Sequence, residues 1–316
     1  MNDTAREPGF DPVQLTVRLM RLLTSPVYRP PMLPGVAIEI MQLSQTPGVN
    51  FDQVVAILER DPLLAARVLS ISQSALYTSR SPITSLKQAV VRLGMGTLRD
   101  LVLEAALNMR VFRVPGFEAP MQRLAHHSTA TAYLARAICS RTAIPAEYAF
   151  LCGLLHDVGI AAALLALAED RDNPRVPFDV AAPVLHGVHE EASGLVTRLW
   201  NLPAEIQKVV SNHHRPRVDG KPHPVVAAVL VAGNLAYELG LGVVPCPPRV
   251  LGPPPSAPLP VQLDVSDPDV VAEAQELLRL DDAALNAVCG EAVGLFEQLG
   301  VPLPAPRGAP GLAVAR

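Results

Sequence analysis

Aromatic residues are scarce in this chain: one Trp, five Tyr and seven Phe make up only 4% of 316 residues. Sandwiches and barrels lean on aromatic and β-branched side chains, so the scarcity argues against them. The apolar content, 49% of the chain, is carried by Ala, Leu and Val, which suits packed helices. Positive charge is not in excess: 26 Lys and Arg face 30 Asp and Glu, for a formal net charge of -4. A basic nucleic-acid surface is therefore not the organising feature, and no nucleic-acid partner is expected. Cys139, Cys152, Cys246 and Cys289 are scattered without CxxC spacing. Three lie in apolar helical context, which points to free buried thiols in a reducing cytoplasm. The stretch MNDTAREPGFDPVQ contains no apolar core of the signal-peptide kind.

Against those absences stands one long apolar run, Tyr148 to Ala168, broken by the adjacent pair His156-Asp157. It is long enough to span a bilayer. Yet it holds two ionisable residues and two glycines and lacks flanking Lys or Arg anchors, so the expectation is a central core helix and no membrane association. An acid and an imidazole are expensive in such surroundings unless they are paired or bind a metal. The pair therefore marks a site.

Helical periodicity dominates elsewhere. Phe51–Arg60 is short and amphipathic, and Asp61-Pro62 supplies an N-cap followed by proline at the first helical position. Leu86, Ala89, Val90 and Leu93 fall on one helical face, and Gly94 closes that helix. Leu98, Leu101, Val102 and Ala105 repeat the spacing. The 32 prolines cluster at edges and in a linker rather than in helix interiors. The expected division is an N-terminal extension (1–28), a helical lobe (29–114), a second helical lobe (115–243) holding all eight histidines, a Pro-rich linker (244–262), two terminal helices (263–300) and a disordered tail (301–316). The fold class is all-α, in two lobes that pack together through helices including Leu98–Leu107.

Several segments occur in an order that resembles one family. They are LPGVAIEIMQLSQ, DPLLAARVLSISQSALY and PITSLKQAVVRLGMGTLRDLVL in the first lobe, then LLHDVG, His189, WNLPAEI and the tandem His213-His214 in the second. Together they are similar to the HDOD domain, a signalling relative of the HD and HD-GYP metal-dependent phosphohydrolases. The resemblance runs from about Arg29 to Gly242, with Gln73-Ser74 standing where the family commonly has Asn-Ser. It implies an HD-like second lobe and a divalent-metal site of His127, His156, Asp157, His189, His213 and His214, with iron, manganese or a similar divalent ion as the metal. Asp157 would bridge two ions. A later carboxylate of the active enzymes falls at Gly233 or Asn234, which supply none. The lysine that usually follows HDIG is Ile160, and the Gly-Tyr-Pro signature is absent.

Imidazoles and a carboxylate suit metal-assisted phosphoester hydrolysis, which needs a metal-acidified water. One carboxylate against four positive charges is a weak set. Architectural readings stand beside these. A buried His-Asp pair can tie two helices together, and His213-His214 at a helix end also suits the helix dipole. His126, His186 and His223 read as surface or capping residues, Trp200 as core, and Asp61 and Ser85 as caps. The functional expectation is a non-catalytic bacterial signalling module acting through protein contacts in two-component, chemotaxis or cyclic-dinucleotide pathways. The alternative is a phosphohydrolase acting on a nucleotide or cyclic dinucleotide.

Overall fold

Helix starts follow the capping residues. Asp61 accepts from the Leu64 amide at 3.1 Å and opens α4 (Pro62–Ser72), and Ser85 accepts from Gln88 at 3.2 Å to open α5 (Leu86–Ala106). The computed structural model describes residues 11–74, 83–142, 144, 148–171, 175–244, 265–299, 301 and 303. The Pro-rich linker beyond Val244, Cys246 and nearly all of the expected tail lie outside the described residues.

The first lobe comprises α2 (Gly35–Leu43), α3 (Phe51–Leu58), α4 and α5, with the others packed on α5. Gly94 takes φ 70° and ψ 168°, so the helix that it ends is followed at once by another at an angle. Glycine is suited to that left-handed turn. Past Ala106 the helix widens into a π turn at Leu107–Val111. The second lobe is built round α6 (Glu118–Ser140), α7 (Ala149–Leu155), α8 (Val158–Glu169), α9 (Phe178–Leu199), α10 (Ala204–Val210) and α11 (Pro224–Glu238). Then α12 (Pro268–Leu278) packs on α11 and α13 (Asp282–Leu299) on α6.

The N-terminal extension is not separate. Its described part forms α1 (Pro12–Leu23), which buries Leu15, Leu19 and Leu23 against α8 and α9. Arg18 seals that contact with a 2.7 Å bond to Asp170. The only sheet among the described residues is a hairpin of two-residue strands, β1 (Arg217–Val218) and β2 (Lys221–Pro222), joined by Asp219-Gly220 with both φ positive. It interrupts a block expected to be wholly helical. The thiols of Cys139, Cys152 and Cys289 are free. The apolar span Ala149–Glu169 is buried inside the protein except at Leu165, Ala168 and Glu169.

The lobes meet where Trp200, buried in the core, donates its indole N–H to Pro31 O at 2.9 Å. The first-lobe helix α5 also brings a buried ionic group to this interface. Arg99 donates to Asp100 through Nε at 3.0 Å and Nη2 at 2.8 Å, and Tyr133 of α6 donates to Glu104 at 3.0 Å. The Arg136 guanidinium lies 4.8 Å over both the Tyr133 and Phe150 rings. Burial pushes the Glu104 carboxyl up to about 7, against the opposing pull of Tyr133, Arg67 and Arg136. An acid whose folded pKa is raised stabilises fully below its unfolded value and loses that contribution as pH rises through the folded one. The window is therefore from about 4.5 to about 7. Glu104→Gln keeps an acceptor for Tyr133 and removes the titration. It should match the wild type at pH 4, below the window, and exceed its unfolding free energy at pH 8 by on the order of 2–3 kcal/mol. Equal stability of the two proteins at both pH values in denaturant titrations would show that Glu104 ionises freely.

Candidate metal centre

His156 and Asp157 do not sit within one helix. The apolar run expected to be continuous breaks between α7 and α8, and Asp157 has φ -104° and ψ 14° at the junction. The break turns both side chains to the same side. Two glycines make this possible. A Cβ on Gly153 would lie 2.8 Å from the Ala132 Cα and the Thr131 carbonyl oxygen, so α7 presses directly on the backbone of α6 beside His127. A Cβ on Gly159 would lie 2.3 Å from the His189 carbonyl oxygen and 2.4 Å from the Ser193 amide. That contact seats α8 on the turn of α9 that carries His189. Ser193 closes it by accepting from the Gly159 amide at 2.9 Å.

All six expected site residues come together. The Asp157 oxygens divide the histidines between them. Oδ2 is 3.3 Å from His156 Nε2 and 3.7 Å from His127 Nε2, while Oδ1 is 3.2 Å from His213 Nε2 and 3.5 Å from His189 Nε2. His127 and His156 bring their Nε2 atoms to 3.2 Å, and His189 Nε2 lies 3.1 Å from His213 Nε2 and 2.9 Å from His214 Nε2. The result is two clusters, His127–His156–Asp157 and His189–His213–His214, each compact enough for one metal ion. Asp157 lies between them.

The opposite edges of the rings show why the inner edges face one another. His127 Nδ1 is 3.2 Å from Leu241 O, His156 Nδ1 2.8 Å from Gly153 O and His213 Nδ1 2.8 Å from Val210 O. His189 Nδ1 is 3.1 Å from Leu185 O and 3.0 Å from His186 O. A carbonyl only accepts, so each of these rings keeps a proton on Nδ1 and, when neutral, presents a lone pair from Nε2. Lone pairs facing at about 3 Å repel unless a cation lies among them. Backbone carbonyls on the outer nitrogen are also the usual support of metal-binding histidines.

Electrostatics point the same way. Both Asp157 oxygens are fully buried with no aligned hydrogen-bond donor. Burial alone would raise the Asp157 carboxyl, but His156, His213 and His189 around it hold it well below the usual range, so it stays ionised. Burial lowers His127 to about 3 and His189 to about 4, and lowers His214 still further, keeping these imidazoles in the neutral form that ligates. His213 differs. Burial works against its protonation, yet the contact with Asp157 holds its pKa above the ordinary value. A fully buried carboxylate ringed by four imidazole nitrogens at 3.2–3.7 Å is a donor set that fits a divalent cation.

The remaining positions resolve cleanly. Gly233 of α11 faces the site, since a Cβ there would stand 3.9 Å from His156 Nε2 with no other neighbour within 4 Å. Asn234 bonds instead to exposed Glu238 at 3.1 Å, so of these two positions it is Gly233 that faces the histidines. Ile160 is wholly buried in the apolar core. His186 is exposed, and His223 caps α11 and approaches Glu205 at 2.9 Å.

Glu190, the substitute ligand had His189 lain far from Asp157, is not needed as one, and Ser266 escaped sequence reasoning altogether. Glu190 accepts from the His214 amide at 3.1 Å and from Arg215 at 2.9 Å, holding the tandem-histidine turn rather than entering the cluster. Ser266 places its hydroxyl 2.7 Å from His214 Nδ1 across 52 residues of sequence. Nothing local to either sequence position signals these roles.

The profile of the HDOD domain matches residues 30–216. The Treponema pallidum (strain Nichols) protein, of uncharacterised function, is 25% identical over 228 residues, 69% of this chain and 44% of its own length. The chain thus spans less than half of that relative. Among solved structures, an HDOD domain protein of unknown function from Geobacter sulfurreducens aligns with TM-score 0.62 at 24% identity, over 92% of this chain and 98% of its own. A Shewanella amazonensis SB2B protein, proposed in its name to be a metal-dependent phosphohydrolase, aligns with TM-score 0.60 at 22% identity, over 72% and 84% of the two chains. A Marinobacter aquaeolei VT8 protein, proposed to act in signal transduction, aligns with TM-score 0.59 at 21% identity, over 91% and 64%.

Proposed function

The chain belongs to the HDOD family, related to the metal-dependent phosphohydrolases, and from that premise we propose a non-catalytic regulatory module whose metal centre organises the second lobe. It acts through protein contacts in a bacterial cytoplasmic signalling pathway of the two-component, chemotaxis or cyclic-dinucleotide kind. The metal is iron, manganese or a similar divalent ion. His127, His156 and Asp157 hold one ion, and His189, His213 and His214 the other.

One observation carries this reading: the inner surface offers a single carboxylate, Asp157, and the place for another is an empty position at Gly233. A set of neutral imidazoles and one acid neutralises two divalent ions poorly. Closure of the site supports the same conclusion. The His127–His156–Asp157 position is closed, with Asp157 and His127 0% exposed, and the other position opens only at the partly exposed His214, whereas hydrolysis needs a coordination position that a phosphoester can reach. The competing hydrolase reading draws on the two clusters bridged by Asp157, the arrangement that serves two-metal phosphoester chemistry.

Turnover decides between them. With manganese supplied, no hydrolysis of cyclic dinucleotides or of a generic phosphodiester is expected. Gly233→Asp should raise metal affinity about tenfold without conferring activity, because its carboxyl enters open space beside His156. Pairing it with Ile160→Lys would only bury an ammonium in the core. Wild-type turnover above roughly 1 per second places the protein among the enzymes instead.

A further inference from the structure

His214 is supported differently from the other imidazoles of the centre. His127, His156, His189 and His213 each turn Nδ1 to a backbone carbonyl, which can only accept. His214 turns Nδ1 to the Ser266 hydroxyl at 2.7 Å, which can accept or donate. Its inner nitrogen, Nε2, lies 2.9 Å from His189 Nε2, the shortest imidazole pair in the centre. The backbone of His214 is fixed independently, through its amide on Glu190 at 3.1 Å. What remains free is the position of one ring proton.

Given the metal reading above, on which this rests, we infer that Ser266 is a positioning residue that makes His214 the adjustable ligand of the His189–His213–His214 position. Without an ion, the Ser266 O–H donates to Nδ1. The His214 proton then sits on Nε2 and is donated to the His189 lone pair, removing the repulsion that two bare nitrogens at 2.9 Å would suffer. With an ion, the same proton sits on Nδ1, Ser266 rotates its hydroxyl to accept it, and Nε2 is bare for coordination. His214 stays neutral in both states and its own proton count does not change. Burial enforces that neutrality. Ser266 lies outside the matched span, residues 30–216, and immediately before Asp267, the N-cap of α12. The C-terminal helix pair is thereby tied to this metal position through one hydroxyl.

The test uses the full chain, stripped with chelator and titrated separately with Mn2+ and Zn2+. Ser266→Ala should weaken the second equivalent about 10- to 100-fold and leave the first unchanged, because Nδ1–H would then be buried without an acceptor. Ser266→Thr retains the hydroxyl and should restore wild-type affinity. Asp267→Ala uncaps α12 without touching the hydroxyl and should leave both equivalents as they are. In the stripped wild type, 15N chemical shifts should show His214 protonated on Nε2. Equal affinity of Ser266→Ala and wild type, an Asp267→Ala loss as large as that of Ser266→Ala, or His214 protonated on Nδ1 in the stripped protein would each overturn the inference. A wild type that takes up neither metal overturns the metal reading itself, while the tautomer measurement still scores the Ser266 contact.

Discussion

Asp157→Ala is expected to empty the metal centre while leaving the stripped protein as stable at pH 8 as the wild type. The carboxylate touches both histidine clusters and is the only acid in either, so its loss should reduce metal content to background at both positions. Its removal costs the stripped fold little. Neither oxygen receives an aligned donor, and a buried charge without one is a burden rather than a tie. The difference should grow with acid. Burial opposes protonation of His213, yet Asp157 holds its pKa above the ordinary imidazole value. A base with a raised folded pKa contributes stability below its unfolded value and loses it as pH rises. The stripped wild type should therefore gain on the variant between pH 8 and pH 6. Metal analysis alongside melting curves at both pH values checks this. Unchanged metal content together with a loss of about 1–3 kcal/mol at pH 8 would make the pair an architectural hydrogen bond.

A single methyl group at Gly159 should do more damage than the loss of that charge. The added Cβ would stand 2.3 Å from the His189 carbonyl oxygen and 2.4 Å from the Ser193 amide, and both are backbone atoms that no rotamer change can move aside. Either α8 parts from α9 or the junction at Asp157 deforms. Gly159→Ala should lower the unfolding free energy by about 3 kcal/mol or more, beyond the usual cost of overpacking. It should also empty the His189–His213–His214 position, since the turn carrying His189 is the one displaced. Gly233→Ala is the matched comparison. Its Cβ meets nothing nearer than 3.9 Å, so replacing a mid-helix glycine there should be neutral or stabilising by up to about 1 kcal/mol. Denaturation midpoints and metal content measure both variants, and a Gly159→Ala protein with the wild-type midpoint would show that the helices are not in close contact.

The sequence by itself determined the helical class, because scarce aromatics and a 3.6-residue apolar period leave no competing architecture. It also determined the helix starts at Pro62 and Leu86, since a cap such as Asp61 or Ser85 acts on an amide three residues away. It supplied the six residues of the centre through motif order. Tertiary structure decided what those residues do together. That the run around His156-Asp157 breaks, and that Gly153 and Gly159 let neighbouring backbones close on it, depends on helices distant in sequence. The choice of Gly233 over Asn234 follows from the rotation of α11 against α7, which periodicity alone leaves open. Ser266 and Glu190 had no local signal, because a side chain that orients a partner 52 or 24 residues away carries no periodicity of its own. Local interactions are written along the chain, whereas the protonation of His214 is set by a hydroxyl that only folding brings near.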